Sequence, residues 1–268
     1  MTTANQETIN QASQPLIPDP QFEVKRCRYG SSPYPELAVW DGQHHCVSED
    51  PKNCKYPKDP GGGVIRNQLK VEHWSVLDQA FVKLNCYGFP HNVIAQITRH
   101  HDSFPLVQSM RYTSQRFQNL VAPREISLPF LPNYIGPIPH QELERYFYLR
   151  PVGWYSDREG NRFYYTPKDR EADLEHLERS VKRYYRNLQK GMPKEQARSV
   201  LPYDFRQDFV IAGTIKAVFH MLDQRSKRDS QIEIRTLAYL AFQELVSWAP
   251  NFFAYYGEKR YGKARLAP

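Results

Sequence analysis

Two groups of cationic and hydrogen-bonding residues in this sequence could do chemistry. The first is Gln96, Arg99, His100, His101, Ser109, Arg111 and Tyr112. Arginine's planar fork makes paired, charge-assisted hydrogen bonds to phosphate oxygens, and Ser109 adds a hydroxyl donor. An anionic ligand fits this set. A solvated basic helix end fits it too, because cations near a helix C-terminus also favour the dipole. The second group is Arg198, Leu201-Pro202, Thr214, Lys216, His220, Arg225, Gln231 and Glu233. Lys216 and His220 are spaced to share one helical face, either a ligand face or simply the wet side. Arg225 belongs to a last helical turn, where a cation is favoured in any case.

Neither group contains an obvious nucleophile with its base. Cys86, in Asn85-Cys86-Tyr87, has no neighbouring His or Gln partner and reads as a small buried residue. Cys27, Cys46, Cys54 and Cys86 are too few and too dispersed for a disulfide framework. His44-His45-Cys46 followed by Cys54 lacks the close cysteine pair of structural zinc sites. It reads as a polar surface loop, and no metal is expected. Gly61-Gly62-Gly63 is not followed by Lys-Ser/Thr, so a phosphate loop is not indicated.

The elements that must position these residues follow from periodicity and punctuation. Residues 1–20 read as a flexible polar tail and 21–268 as one domain. Residues 40–63 carry loop signals, and regular structure is expected from Val71. Phe81 to Leu84 alternates like a strand. After Pro90, Val93, Ile94 and Ile97 line one side of a short helix that ends at Arg99-His100-His101. Ser109 to Arg111 then fall in a loop. Val152 to Tyr155 and Phe163 to Thr166 flank a turn at Asp157-Arg158-Glu159-Gly160, predicting a hairpin.

Thr166-Pro167 starts a helix with Leu174, Leu177, Val181, Tyr184 and Leu188 inward, and Gly191 ends it. A second helix is expected over 207–224, with Ile211, Ile215, Val218, Phe219 and Leu222 inward. A third is expected from Asp229-Ser230 to Ala249, with Ile234, Ala238, Ala241, Leu245 and Trp248 inward and Pro250 as its stop. The fold class is α+β: a mixed α/β core with a helical C-terminal half. The aromatics around Tyr146–Tyr155 and Phe252–Tyr256 suit either large interfaces or a core.

The formal charge of +7 favours anionic partners without choosing among them. No stretch approaches the roughly 18 apolar residues of a membrane helix, and residues 1–20 have no apolar signal core. A cytoplasmic location is expected. A basic nucleic-acid-binding module is permitted by the charge, but no helix-turn-helix, finger or aromatic RNA-binding signature is visible, and no nucleic-acid partner is expected.

Four segments, in order, resemble the flavin-dependent thymidylate synthase (ThyX) family. The family's Arg-His-Arg and later Ser stand here as Arg99-His100-His101 and Ser109-Met110-Arg111-Tyr112. The upstream histidine segment is His73-Trp74-Ser75-Val76-Leu77-Asp78. Ala-Arg-x-x-Leu-Pro is Ala197 to Pro202. The last signature is Arg225 with Ser230-Gln231-Ile232-Glu233-Ile234. The resemblance spans roughly residues 70–250. It implies a single ThyX-like domain that methylates dUMP to dTMP with FAD, methylenetetrahydrofolate and NADPH, as a homotetramer.

By the same resemblance, Gln96, Arg99, Ser109, Arg111, Arg198 and Arg225 would bind dUMP, and Arg225 would activate the uracil ring. FAD contacts would fall on His73, Arg99, His100, His101, Val107, Thr214, Lys216 and His220. The chain departs from the family pattern at His101 and Lys216, usually Arg, at Val107, commonly Glu, and at Thr214, usually Asn. A degenerate member that binds flavin or nucleotide without turnover is the nearest variant of this reading. Classical thymidylate synthase, which needs a nucleophilic cysteine, is the rival that Cys86 argues against.

Overall fold

The computed structural model describes residues 18–263 apart from 54, 58–61 and 158. The tail before residue 18, Cys54, Gly61 and the Arg158 of the hairpin turn lie outside the described residues. Along the chain run β1 (Glu23–Arg26), α1 (Pro35–Val47), α2 (Gly62–Lys70), β2 (Phe81–Pro90), α3 (His91–Ile97) and β3 (Leu106–Val107). There follow α4 (Met110–Thr113), α5 (Gln115–Val121), β4 (Glu125–Leu128), β5 (Leu131–Ile135), α6 (His140–Tyr146), β6 (Gly153–Ser156) and β7 (Arg162–Tyr165). Last come α7 (Pro167–Gln189), α8 (Lys194–Ala197), β8 (Arg206–Thr214), α9 (Ile215–Arg225), α10 (Ile232–Trp248) and α11 (Pro250–Lys259). One sheet has the order β1-β2-β8-β3, and two hairpins, β4-β5 and β6-β7, complete the strands described. The α+β class expected from sequence is the one observed.

The chain forms two compact units. One runs through Tyr87, then Ala95–Leu106, then from Phe209 onward; the other is Gly88–Ile94 with Val107–Asp208. In the first unit β1 pairs antiparallel with β2, Val24 opposite Cys86. Its core holds Leu77, Val82, Leu84, Cys86, Phe219, Leu222, Phe242, Phe252, Phe253 and Tyr256, all fully buried. The rings of Phe219 and Tyr256 lie 4.6 Å apart and those of Phe219 and Phe253 5.3 Å. Phe252, Phe253 and Tyr256 are therefore core, and Tyr255 is half-buried.

In the second unit the apolar stripe of α7 (Leu174, Leu177, Val181, Tyr184) packs with Phe117, Leu120, Leu143 and Phe147. Here the expected helix start is met: Thr166 Oγ1 accepts from Asp169 N, and Asp169 accepts from Thr166 N, a reciprocal capping box. The β6-β7 hairpin also stands as expected. Near it Trp154 is exposed while Phe147 and Tyr148 are buried.

Four expectations are corrected. Residues 40–63 are not all loop, and order does not begin at Val71. β1, α1 and α2 precede it, and His44, His45 and Cys46 sit in the last turn of α1. Only Pro35 and Val39 of α1 are buried, so it offers almost no periodicity to read. The expected helix over 207–224 is a strand followed by a helix. Residues Phe209, Ile211 and Gly213 alternate inward along β8, and Thr214 then caps α9. Pro250 occupies the first turn of α11 rather than only ending α10, a position where its missing N–H costs nothing. Ser109 is the N-cap of α4, with Arg111 inside that helix.

The first unit is tied by a buried charge. Asp223 of α9 is fully buried; Arg260 donates to it through Nη2 at 2.5 Å and Nε at 3.3 Å, and Tyr256 Oη–H donates at 2.8 Å. Breaking such a pair strands an uncompensated charge, which costs about 3–5 kcal/mol. Arg260→Ala is therefore expected to lower the unfolding free energy by about that much, whereas the Asp223→Asn/Arg260→Met double variant loses far less. Urea denaturation measures both; equal losses in the two would contradict the assignment.

Candidate functional site

In the first unit the site is built on two turns, the one following α3 and the one ending α9. Ile97 and its neighbours Val93 and Ile94 are buried, which turns Gln96 and Arg99 outward and brings the chain round to His100. That turn is pinned: His100 N donates to Ile97 O at 3.0 Å, and Ser103 donates to His100 O through N at 3.2 Å and Oγ at 2.9 Å. His100 is 7% exposed.

Arg225, the last residue of α9, donates from Nε to His100 Nε2 at 2.9 Å and from Nη2 to Gln96 O at 3.1 Å. An arginine does not give up its proton, so His100 Nε2 is the acceptor and the imidazole is neutral. Its ring stands perpendicular to that of His220, centroids 5.6 Å apart. His220 meets Gln224 Nε2 through its own Nε2 at 2.6 Å and faces Asp102 at 3.9 Å through Nδ1. Gln96 Nε2 donates to Gln231 Oε1 at 2.8 Å.

The charge in this corner is positive. Burial chiefly, and then Arg225, His220 and Arg99, hold His100 down to about 4, with Asp102 the opposing influence. Burial and the nearby Arg99 also lower Arg225 from its ordinary value. Among the described residues no carboxylate forms an ion pair with Arg225. Cations crowded in this way, with a lone exposed carboxylate beside them, raise the local affinity for anions.

At the other end of α9, Thr214 Oγ1 accepts from Ala217 N at 3.3 Å and donates to Asp78 Oδ1 at 2.7 Å. Lys216 Nζ lies 3.7 Å from Asp78 Oδ2. His73 pairs instead with Gln68 Oε1, at 2.9 Å, and with Cys46 Sγ, at 3.9 Å. His101 is exposed on the turn beside His100.

The second unit gathers its own group. Ser109 Oγ accepts from Arg111 N at 3.4 Å, and Arg111 Nη2 forms an ion pair with Glu195 at 3.0 Å. Arg111 and Arg198 both help hold the Glu195 carboxyl below its usual range, after its own backbone hydrogen bond. Val107 is half-buried in β3.

The structure thus brings Gln96, Arg99, His100, His220 and Arg225 together, groups Thr214 with Lys216, groups Ser109 with Arg111 and Arg198, and leaves His73 on a separate set of partners. Sequence reasoning missed Asp78, Asp102, Glu195 and Gln224 as participants. Gln224 was legible, one turn after His220 on the same face, and Glu195 lies one turn before Arg198. Asp78 and Asp102 reach α9 only through tertiary folding.

Comparison with known proteins gives a consistent picture. The model of the family described as thymidylate synthase complementing protein matches residues 26–251. The flavin-dependent thymidylate synthase of Haloarcula marismortui is 31% identical over 213 residues, 76% of this chain and 79% of that protein. That of Halobacterium salinarum is 32% identical over 208 residues, with the same coverage. Among solved structures, the flavin-dependent thymidylate synthase ThyX from Helicobacter pylori, complexed with FAD and dUMP, matches with a TM-score of 0.61 at 18% identity, covering 86% of this chain and 97% of that one. The UMP/dUMP methylase PolB from Streptomyces cacaoi, bound with 5-Br dUMP, matches with a TM-score of 0.66 at 18% identity, covering 92% and 97%. At these identities the structural likeness speaks for the fold.

The neutral His100 has a consequence for stability. Between about pH 6.5 and 4 the unfolded chain protonates this residue and the folded chain does not. The unfolded state then binds more protons, so stability falls as pH drops through that window. Urea titrations from pH 7 to 4 are expected to show a steeper loss in the native protein than in His100→Gln. Superimposable slopes would show that His100 is not held neutral.

Proposed function

Because the chain belongs to the thymidylate synthase complementing protein family, the family of flavin-dependent thymidylate synthases, we infer that it is a flavin-dependent thymidylate synthase: an FAD enzyme that makes dTMP from dUMP by reductive methylation. The observation that carries this reading is Arg225, fixed by two neutral acceptors; by the resemblance it is the arginine that would activate the uracil ring.

The residues present fit an anionic cofactor. Arg99, Lys216 and His220 are cationic or neutral donors around α9, and the field at His100 is net positive, which suits the diphosphate of FAD. In this reading Arg99, His101, Thr214, Lys216 and His220 hold FAD, with His73 and Val107 at the margin of that set and His100 turned to Arg225 instead. When bound, FAD supplies the hydride and relays the one-carbon unit of methylenetetrahydrofolate, with NADPH as reductant.

The chain's own residues bind, orient and polarise. Ser109, Arg111 and Arg198 take the nucleotide phosphate, and for Arg111 this means exchanging Glu195 for phosphate oxygens. An exposed ion pair of this kind is worth about 0–1 kcal/mol, so a doubly charged phosphate displaces it readily. By the same resemblance Gln96, Arg99 and Arg225 of the first unit would contact the nucleotide, Arg225 at the uracil ring. Uracil is a poor nucleophile until negative charge develops on its ring. A fixed guanidinium beside the ring stabilises that charge without giving up a proton.

Cys86 takes no part. It is fully buried in β2, and burial pushes its thiol well above the ordinary range, so no thiolate is available for attack. The homotetramer belongs to the same family reading, and the cytoplasmic location is the expectation drawn from the sequence. No helix among the described residues is long and apolar enough to cross a membrane. In this reading the basic charge serves the nucleotide and flavin phosphates.

The test is direct. Purified protein should be yellow, release FAD on denaturation, and form labelled thymidylate from dUMP and methylene-labelled folate with NADPH. Cys86→Ala should do so at a comparable rate. A colourless protein that takes up no FAD would sink the assignment. Loss of product in a folded, flavin-loaded Cys86→Ala would return the nucleophile to the cysteine.

A further inference from the structure

The family resemblance hands the central histidine of Arg99-His100-His101 to the flavin. The geometry points elsewhere, and we propose that His100 is a positioning residue, which grips Arg225 through its Nε2 lone pair and leaves the guanidinium's charge undiminished for the nucleotide. This inference rests on the reading of Arg225 as the group that polarises the uracil ring.

Three observations carry it. First, the only ring nitrogen for which the structure gives a partner, Nε2, lies 2.9 Å from Arg225 Nε, and His100 is a buried residue. An atom engaged in this way is not free to contact a ligand. Second, the grip is rigid on both sides. The turn carrying His100 is pinned by Ile97 and Ser103, and its ring is braced edge-on by His220, itself held by Gln224. Third, the second acceptor for Arg225 is also neutral, the carbonyl of Gln96 at 3.1 Å. Two of the five guanidinium N–H donors are thus engaged, and the rest remain for a ligand.

The choice of a neutral acceptor matters. A carboxylate in place of His100 would orient Arg225 equally well but would cancel much of its field at close range. A protonated imidazole could accept nothing and would repel the arginine. The charged and titratable groups around the ring are Arg225 and His220 from α9, and Arg99 and Asp102 from its own turn. Only Asp102 favours protonation, and it is exposed. A buried neutral histidine therefore satisfies the donor and preserves the charge.

The experiment uses flavin-loaded protein and three substitutions at one position. His100→Leu removes the acceptor. His100→Gln places an amide oxygen at the reach of Nε2. His100→Asn places one only at the reach of Nδ1. Four readouts are taken: FAD content by absorbance, Tm, dUMP affinity by calorimetry, and the single-turnover rate of thymidylate formation with pre-reduced flavin. His100→Leu should keep FAD content and Tm near wild type and lose roughly tenfold to a hundredfold in rate, the worth of one hydrogen bond to a charged group. His100→Gln should recover most of that rate and His100→Asn should not. In an Arg225→Lys background, His100→Leu should cost nothing further, because the two act as one unit.

Equal losses in the Gln and Leu variants, loss of FAD as the main defect, or the same fold-loss in the Arg225→Lys background would each overturn the role of His100. Should His100→Leu not fold, the contrast between Gln and Asn decides alone. An Arg225→Lys protein with the full wild-type rate would instead overturn the reading of Arg225, and is thereby told apart.

Discussion

The buried carboxylate of Asp223 sets the frame on which the candidate site depends. A charge without exposure must be paired, and the partners come from α11 and the turn after it: Arg260 with two donors and Tyr256 with one. The C-terminal end of α9 is thereby locked to α11. The chain beyond it is held as well, since Ser226 Oγ donates to Leu222 O and accepts from Gly262 N. Arg225 sits two residues after Asp223, about 200° around the helix at roughly 100° per residue, and so projects from the opposite face. Its root cannot wander, and its guanidinium needs only acceptors to fix the remaining arc. Among the described residues, those acceptors are His100 and the Gln96 carbonyl.

From this frame the electrostatics follow. The buried local carboxylate is engaged by Arg260, Asp78 is engaged by Thr214 and Lys216, and Asp102 is exposed. Arg99, His220 and Arg225 are left to dominate the potential near His100. A protein that meets an anionic nucleotide and a diphosphate-bearing flavin gains most from cations whose charge is not already cancelled. The same arrangement costs stability when His100 is asked to protonate, which is the usual sign of a site shaped for function rather than for folding.

Much of this is legible in the residues. Thr166-Pro167 and the apolar stripe to Leu188 mark α7 almost to the residue, and Pro90 with Val93, Ile94 and Ile97 marks α3, because capping and periodicity are local. The order of four motifs marks the family. What stays hidden is tertiary. The segment of β8 reads as helix because Ile211, Ile215, Val218 and Leu222 fit a helical spacing, and only pairing within the sheet shows Phe209 and Ile211 alternating along a strand. α1 buries too little to show a stripe; Gly42 within it faces the side chain of Gln79, a close approach that no local pattern announces. The partnership of His100 with Arg225 links residues 125 positions apart, and the part played by Asp78 is likewise a product of folding.

The central claim is that Arg225, oriented without a carboxylate, stabilises negative charge on the uracil ring. The most direct measurement is the acid dissociation of the ring N3–H of dUMP bound to flavin-loaded protein, followed by NMR with isotopically labelled N3. Bound dUMP is expected to ionise at a lower pH than free dUMP, and Arg225→Lys to abolish most of the difference while still binding the nucleotide. An N3–H that ionises at the same or a higher pH on the protein than in solution would contradict the claim.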